Sequence, residues 1–456
     1  MAQHNPTRVG SRLLIVGGSI GGCFAAAALS AHFDETLIIE KDTLPDGPAL
    51  RAGVPQGSHI HGLLRRPLDI AARLLPGFED DLLAAGALGL KAGIEGRFHD
   101  NGQWHPKRDL GIVNTAQSRP LIEDVLRRRV LALPNVKLRD RVALVDYLIQ
   151  ENTAVGALVR NADGSDETIQ ADLVVDATGR TGPILNLLRE HGYAAPETTE
   201  LGVDIGYTSA FYTRRSPADE EAIGGYIIRS NPPRTRSGVL FPIEGDRWVV
   251  SLSGRFKDFP PHDDAGFQAF AATLEDPLLH KVLQREERVS PFTRFMIPRI
   301  HWRHYERLAR FPDRLIPIGD TVTCFNPVYG QGMAVAAMHA EVLGELLRAR
   351  ADSATPLSGL TGEALPQISR ASEWAWNLSE PVDLVYEQTV GPRPPGFEER
   401  IAFSKVVRSA LPSEPELQWA LNQVTNLLAP PSLLQETAAR LGLLPSSTSK
   451  ARPSHA

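Results

Sequence analysis

A glycine cluster, Gly17-Gly18-Ser19-Ile20-Gly21-Gly22, is followed by an acid, Glu40, and together they form the first pattern in the chain able to do chemistry. Glycines in a tight turn let the backbone approach a pyrophosphate closely. A helix starting there offers that group free N–H donors and a partial positive charge. Glu40 can accept hydrogen bonds from a ribose. Ser19 stands where G-x-G-x-x-G has its middle glycine; its small side chain still allows close approach, and Gly18 keeps the turn flexible. A second constellation joins Gly319-Asp320 to Asn326-Pro327 and Gly330-Gln331-Gly332-Met333. An acid at a strand end can bind a ribose-type hydroxyl, and a glycine-opened helix N-terminus can hold an electron-accepting polar edge. Arg51, His59 and His61 share a Pro-, Gly- and His-rich loop, Leu44 to Leu64, whose length argues for function.

These groups need elements to hold them. Leu13 to Val16 reads as a buried parallel strand, Cys23 to Ala31 as an alanine-rich helix and Thr36 to Ile39 as a second strand, the order of a dinucleotide-binding βαβ unit. Pro67 to Ala87 is expected to be helical with a break at Pro76-Gly77, and Ile94 to Val113 to pair as strands. Ser118-Arg119-Pro120 opens a helix with Glu123 and Asp124 expected in its first turn. Val136 to Leu138, Arg141 to Gln150, Ala154 to Arg160 and Leu173 to Val175 read as strands. From Asp204 to Ser253 the texture turns aromatic and β-branched, with a hairpin around Glu244-Gly245-Asp246. Phe267 to Val289 reads as helix, and Arg314 to Ile318 as the buried strand that delivers Asp320. Amphipathic helices follow Arg350, and no internal repeat is found. Phe211, Tyr212, Phe241, Trp248, Phe292 and Phe295 are either pocket walls or plain core.

The chain has 456 residues, room for two or three domains, with 42% hydrophobic and 22% charged residues. A net charge of −6 argues against nucleic-acid binding. Arg127, Arg128 and Arg129 are expected to cover an exposed helix side. Cys23 and Cys324 lack metal-ligand spacing, so no metal is expected and a reduced cytoplasmic protein fits. No apolar run is long enough to span a bilayer and no signal-peptide core is apparent, although peripheral membrane contact stays open.

GDTVTCFNPVYGQGM resembles the Gly-Asp box of FAD-dependent monooxygenases of the p-hydroxybenzoate hydroxylase and squalene epoxidase type. LVVDATGR resembles their middle fingerprint, and the loop RAGVPQGSHIHGLL is similar to flavin epoxidases of polyether antibiotic pathways. The resemblance implies an α/β fold. Its parts would be a Rossmann-like FAD-binding domain of glutathione-reductase type (11–200 and 301–350), an antiparallel substrate domain (201–300), a C-terminal helical region (351–445) and a disordered tail (446–456). Carried over by residue, Gly17, Gly18, Ser19 and Gly22 would line the pyrophosphate. Glu40, with Lys41 beside it, would take the adenosine ribose, and Val142 would meet adenine through its backbone. Arg51 would reach FAD and Arg119 support it, unless both form surface ion pairs. Asp320 would contact the pyrophosphate–ribityl region; Pro327, Gly330, Gln331, Gly332 and Met333 would flank the isoalloxazine. The family's Asp-Gly pair is spread here as Asp176-Ala-Thr-Gly179, which puts a role in NAD(P)H contact in doubt. One of His59 and His61 either faces the flavin or is a structural histidine.

In such enzymes the flavin carries the hard chemistry and the protein supplies orientation and a dry pocket, so no charged catalytic pair is demanded and none is identified. The expected reaction is insertion of one atom of O2 into a bulky apolar metabolite, by epoxidation or hydroxylation, in natural-product biosynthesis. Electrons would come from NAD(P)H visiting transiently or from a partner reductase, because the chain holds one dinucleotide fingerprint. Alternatives are an isoprenoid reductase or dehydrogenase and a non-redox FAD-holding cyclase. Halogenation is disfavoured because Trp374-Ala-Trp376 does not continue as the halogenase W-x-W-x-I-P segment.

Overall fold

The computed structural model describes residues 7–215 and 224–444. Its centre is a five-stranded parallel sheet built on β1 (Gly10–Val16) and β2 (Phe33–Ile39), joined by α1 (Ile20–Leu29). The strand order is Leu315–Pro317, Leu173–Asp176, β1, β2, Val136–Arg139, and each neighbouring pair is parallel. Leu13, Leu14 and Ile15 are fully buried, as a strand covered on both faces requires. β1 begins at Gly10, three residues ahead of the apolar run Leu13 to Val16, because Val9 N–H already pairs with the His32 carbonyl. The helix Gly332–Arg350 packs along α1 through small residues: a Cβ on Gly344 would lie 3.1 Å from the Ala28 carbonyl oxygen. An antiparallel sheet of Ala143–Gln150, Thr153–Arg160 and Asp166–Gln170 contacts the Leu173–Asp176 strand.

A seven-stranded sheet forms a second layer, in the order Thr293–Ile297, Ile205–Thr213, Arg247–Arg255, Ser237–Ile243, Gly225–Ile228, Gly96–Asp100, Gln103–Trp104. The hairpin at Glu244-Gly245-Asp246 is present, with Gly245 and Asp246 at positive φ. Gly96–Asp100, far upstream in sequence, joins this sheet parallel to Gly225–Ile228. Strand alternation gives the sheet two faces. Tyr212, Trp248, Val250, Leu252, Tyr226 and Ile228 point back into a core closed by the helices Asp264–Ala271 and Leu278–Arg285. The helix expected across Phe267 to Val289 is therefore two, parted at Pro277, which caps the second.

The N-terminal part of the Leu44–Leu64 loop is irregular, with one turn of 3-10 helix at Pro55–Ser58. The helix Arg119–Leu131 starts as read, with the Ser118 hydroxyl accepting from Leu121 N–H at 3.3 Å. Glu123 and Asp124 fall beyond its first turn and are buried. Arg127 is buried too, bonded to Asp124 and the Pro45 carbonyl, so of the three arginines expected on an exposed face it is turned inward. Past Arg350 come helices Leu360–Leu384, Phe397–Ala410, Pro415–Thr425 and Ser432–Arg440; the first of them packs into the main core. The tail expected from Ser446 lies outside the described residues.

Candidate cofactor site

All five central strands run the same way, so the turns after β1 and after Leu315–Pro317 open at one edge of the sheet, where α/β folds bind ligands. After β1 the chain turns at Gly17 with φ of +110°, a conformation that favours glycine. A Cβ at Gly17 would sit 2.5 Å from the Ala177 carbonyl oxygen, and one at Gly22 only 1.8 Å from that of Gly17. Glu40 closes the turn from the side. Its Oε2 accepts Gly18 N–H at 2.9 Å and its Oε1 accepts Asp42 N–H at 3.0 Å. A carboxylate offers about four lone-pair positions, so acceptor capacity remains for a hydroxyl pair.

Ser19 precedes α1 but its hydroxyl does not cap the helix; it accepts from Arg119 Nη2 at 3.0 Å. The first helical bond runs from Cys23 N–H to the Ser19 carbonyl at 2.9 Å. The amides of Ile20, Gly21 and Gly22 therefore stand outside the helical ladder, ready for an anion. Arg51 Nε and Nη2 donate to Glu123 Oε1 at 2.9 and 2.5 Å, while Nη1 donates to Asp42 at 3.0 Å and lies 3.6 Å from Glu40. Arg119 Nε lies 3.4 Å from the other Glu123 oxygen. Neither arginine forms a surface ion pair: the side chains of Arg51, Arg119 and Glu123 are at most 8% exposed. Lys41 is exposed beside them. Val142 is buried, and its N–H is taken by the Glu40 carbonyl at 2.9 Å, leaving its carbonyl for any outside contact.

At the second turn, Pro327–Tyr329 forms a 3-10 turn capped by Asn326, whose Oδ1 accepts Val328 N–H at 3.3 Å. Gly330 follows at φ +69°, and the Gly332 helix begins with Val335 N–H bonding the Gln331 carbonyl at 3.0 Å. The Asp320 carboxylate lies beside this helix start, 3.6 Å from where a Gly332 Cβ would be. No donor among the described residues hydrogen-bonds it. Burial raises its pKa, against the pull of Arg119, Arg180 and Arg303. Gln331 Oε1 and both amide atoms of Gln117 are buried without partners. Glycine cradles, free helix amides and unsatisfied polar groups at one sheet edge fit a large polar cofactor. Sequence reasoning passes over Gln117 and the role of Glu123; adjacency of Gln117 to Ser118-Arg119 is its only cue.

Other expectations sort differently. Asp176 is fully buried, accepting from Tyr147 Oη, Thr178 N–H at 2.9 Å and Thr321 Oγ1 at 3.2 Å, and so braces the sheet. His59 Nδ1 meets Ser209 Oγ at 2.7 Å on the front of the large sheet, and Ser209 meets Ser251 at 2.5 Å. Burial pushes the His59 pKa down to about 4 and, with help from Arg119, that of His61 to about 3, so both are neutral at pH 7. Of the six aromatics, Tyr212 and Trp248 are back-face core with Phe292 against them, and Phe295 packs by His59. Phe241, half-buried, meets the loop at Gly62.

A dinucleotide cradle at the carboxyl edge of a parallel sheet, faced by a second, largely antiparallel layer, defines the flavoprotein fold of the hydroxylase type. Residues 113–356 match the FAD binding domain family, more than half of the chain, and the chain belongs to that family. Protein Rv3254 of Mycobacterium tuberculosis is 31% identical over 372 residues, covering 79% of this chain and 76% of its own. Among solved structures, the flavin-dependent brominase Bmp2 superimposes with a TM-score of 0.67 at 15% identity over 95% of this chain and 99% of its own. PqsL of Pseudomonas aeruginosa, in complex with 2-aminobenzoylacetate, gives 0.58 at 15% identity over 82% and 97%. The 2-methyl-3-hydroxypyridine-5-carboxylic acid oxygenase gives 0.57 at 16% over 89% and 93%. At these identities the structures share the fold. No helix among the described residues is long and apolar enough to cross a membrane.

Proposed function

We propose that the protein is an FAD-dependent monooxygenase that inserts one oxygen atom from O2 into a bulky, largely apolar metabolite, by epoxidation or hydroxylation, in natural-product biosynthesis. The α1 amides and Arg119 would hold the pyrophosphate, Glu40 the adenosine ribose, and Asp320 a hydroxyl of the ribityl–pyrophosphate region. The start of the Gly332 helix would lie against the ring's electron-rich edge, where its dipole favours negative charge. When bound and reduced, FAD would supply the electrons that activate O2, drawn from NAD(P)H or a partner reductase.

The observation that carries the reading is the front of the large sheet. Phe98, Ile227, Val239 and Phe241 alternate with back-facing residues and are half-buried, an apolar wall covered in part by the His59 loop. Such a wall excludes water and accommodates an apolar substrate, which oxygen transfer needs and plain electron transfer does not. The oxygenase among the structural neighbours supports the same choice. Bmp2 raises halogenation as the rival, yet Trp376 is 2% exposed, bonded to Glu380 and packed at a tilt against Trp302, a core residue in this chain.

The test is turnover under ¹⁸O2, with and without bromide, on protein first shown to release FAD rather than FMN on denaturation. One labelled oxygen in the product is the expected result. Unlabelled product formed equally well without O2 would favour the reductase reading, and halogenated product the rival. Colourless protein that FAD does not reconstitute would remove the cofactor assignment itself.

A further inference from the structure

We propose that Asp383, on the helix Leu360–Leu384 and outside every fingerprint, is a positioning residue that holds the Asn326–Gln331 turn against the cofactor's ring end. The inference rests on the FAD reading above. Asp383 is fully buried, and its Oδ1 accepts three hydrogen bonds: from Arg255 Nη2 at 2.7 Å, Asn326 Nδ2 at 2.8 Å and Tyr329 Oη at 2.8 Å. Those donors come from two distant stretches, the last residue of a large-sheet strand and the turn that leads into the Gly332 helix. A second large-sheet strand adds Tyr207, which donates to Asn326 Oδ1 at 3.0 Å. One carboxylate oxygen thus ties helix, sheet and turn together.

The tie is charged and dry. Arg255 lies over the Tyr386 ring at 4.8 Å, and Tyr386 Oη bonds the Arg234 carbonyl at 3.0 Å and Ser230 Oγ at 3.1 Å, so the same helix end grips the sheet twice. Burial works to lower the Arg255 pKa, but the Asp383 carboxylate outweighs it and keeps the guanidinium charged. Thr389 Oγ1 bonds the Asp383 carbonyl at 2.7 Å, fixing the residue where its helix ends. Asn326 reaches this carboxylate with its amide nitrogen while its oxygen caps the 3-10 turn, so slack at Asp383 passes directly into Pro327–Gln331. The α1 cradle for the pyrophosphate shares none of these bonds. Loosening the tie should therefore disturb the ring end of the cofactor and spare the adenosine end.

The experiment compares FAD-loaded parent, Asp383→Asn, Tyr329→Phe and Glu380→Gln. Glu380 lies on the same helix and bonds Trp376 and Arg400 rather than the turn or a sheet strand, so it reports general loosening of the helix. The readouts are the visible spectrum and midpoint potential of bound flavin, quenching of its fluorescence by iodide, FAD affinity and thermal unfolding. Asp383→Asn and Tyr329→Phe are expected to raise iodide quenching several-fold and shift spectrum and potential, with FAD affinity changed much less. Glu380→Gln should lower thermal stability and leave the flavin signals alone. Flavin signals identical to the parent's in Tyr329→Phe and in any folded Asp383→Asn would overturn the proposal. So would changes that Glu380→Gln reproduces in proportion to lost stability. If the parent itself holds no FAD, the underlying reading fails, an outcome distinct from either.

Discussion

Gly22 and Glu40 carry different loads within one turn. A Cβ on Gly22 would overlap the Gly17 carbonyl oxygen at 1.8 Å, and that backbone carbonyl cannot swing aside as a flexible side chain would. Gly22→Val is therefore expected to abolish FAD retention, with loss of folded protein visible by circular dichroism. Glu40→Ala removes an acceptor and frees Gly18 N–H, which the carboxylate holds at 2.9 Å. Losing a charge-assisted hydrogen bond to a ribose should weaken FAD by roughly 1.5–3 kcal/mol, about tenfold or more, measured by fluorescence titration of apoprotein. Unchanged affinity in both variants would mean that the cofactor lies elsewhere.

The loop bearing His59 is fastened to the front of the large sheet from inside. Ser251 accepts Ile60 N–H at 3.3 Å and is hydrogen-bonded to Ser209, which in turn meets His59 Nδ1. His59 must stay neutral there. Its folded pKa of about 4 is below the ordinary value of 6.5, so unfolding takes up a proton between the two. The stabilisation is complete above pH 6.5 and is lost as pH falls through about 4, by at most about 3 kcal/mol for this group. Urea unfolding from pH 7 to pH 4 should show a falling midpoint, and His59→Gln should flatten the slope. His105 and His301, also held down to about 4 by burial, keep part of the acid limb in that variant. An acid limb as steep as the parent's in His59→Gln would show that the loop histidine is not a buried neutral group.

At the scale of the whole molecule, the helix Leu360–Leu384 joins the two layers. Leu360, Ile368, Ala375 and Trp376 belong to the same core as β1 and α1, and Trp376 packs on Trp302 and Phe325. Trp376→Ala should cost about 3–5 kcal/mol by the usual penalty for a large buried cavity, read from denaturant midpoints. A cost under about 1 kcal/mol would mean that the helix is an appendage.

The βαβ unit, the hairpin at Glu244-Gly245-Asp246, the start of the Arg119 helix and the Asp320 turn were all legible in the chain. Each is a local matter: apolar period, a steric demand for glycine, a capping serine or a strand-end acid is written within a dozen or so neighbouring residues. The aromatics were legible only as a set, because strand alternation assigns faces but does not say which face a helix covers. Local sequence also missed the break in Phe267 to Val289, left a surface ion pair open for Arg51 and Arg119, and put Arg127 on an exposed face. Partners for those arginines, Glu123, Asp42 and Asp124, come from the far side of a strand or a turn of helix whose burial depends on everything packed around it. Only the tertiary structure joined Gly96–Asp100 to a sheet more than a hundred residues downstream and set Asp383 between Arg255 and Asn326. A hydrogen bond acts over about 3 Å and leaves no periodic mark on residues so far apart in sequence, so such pairings are decided by the fold.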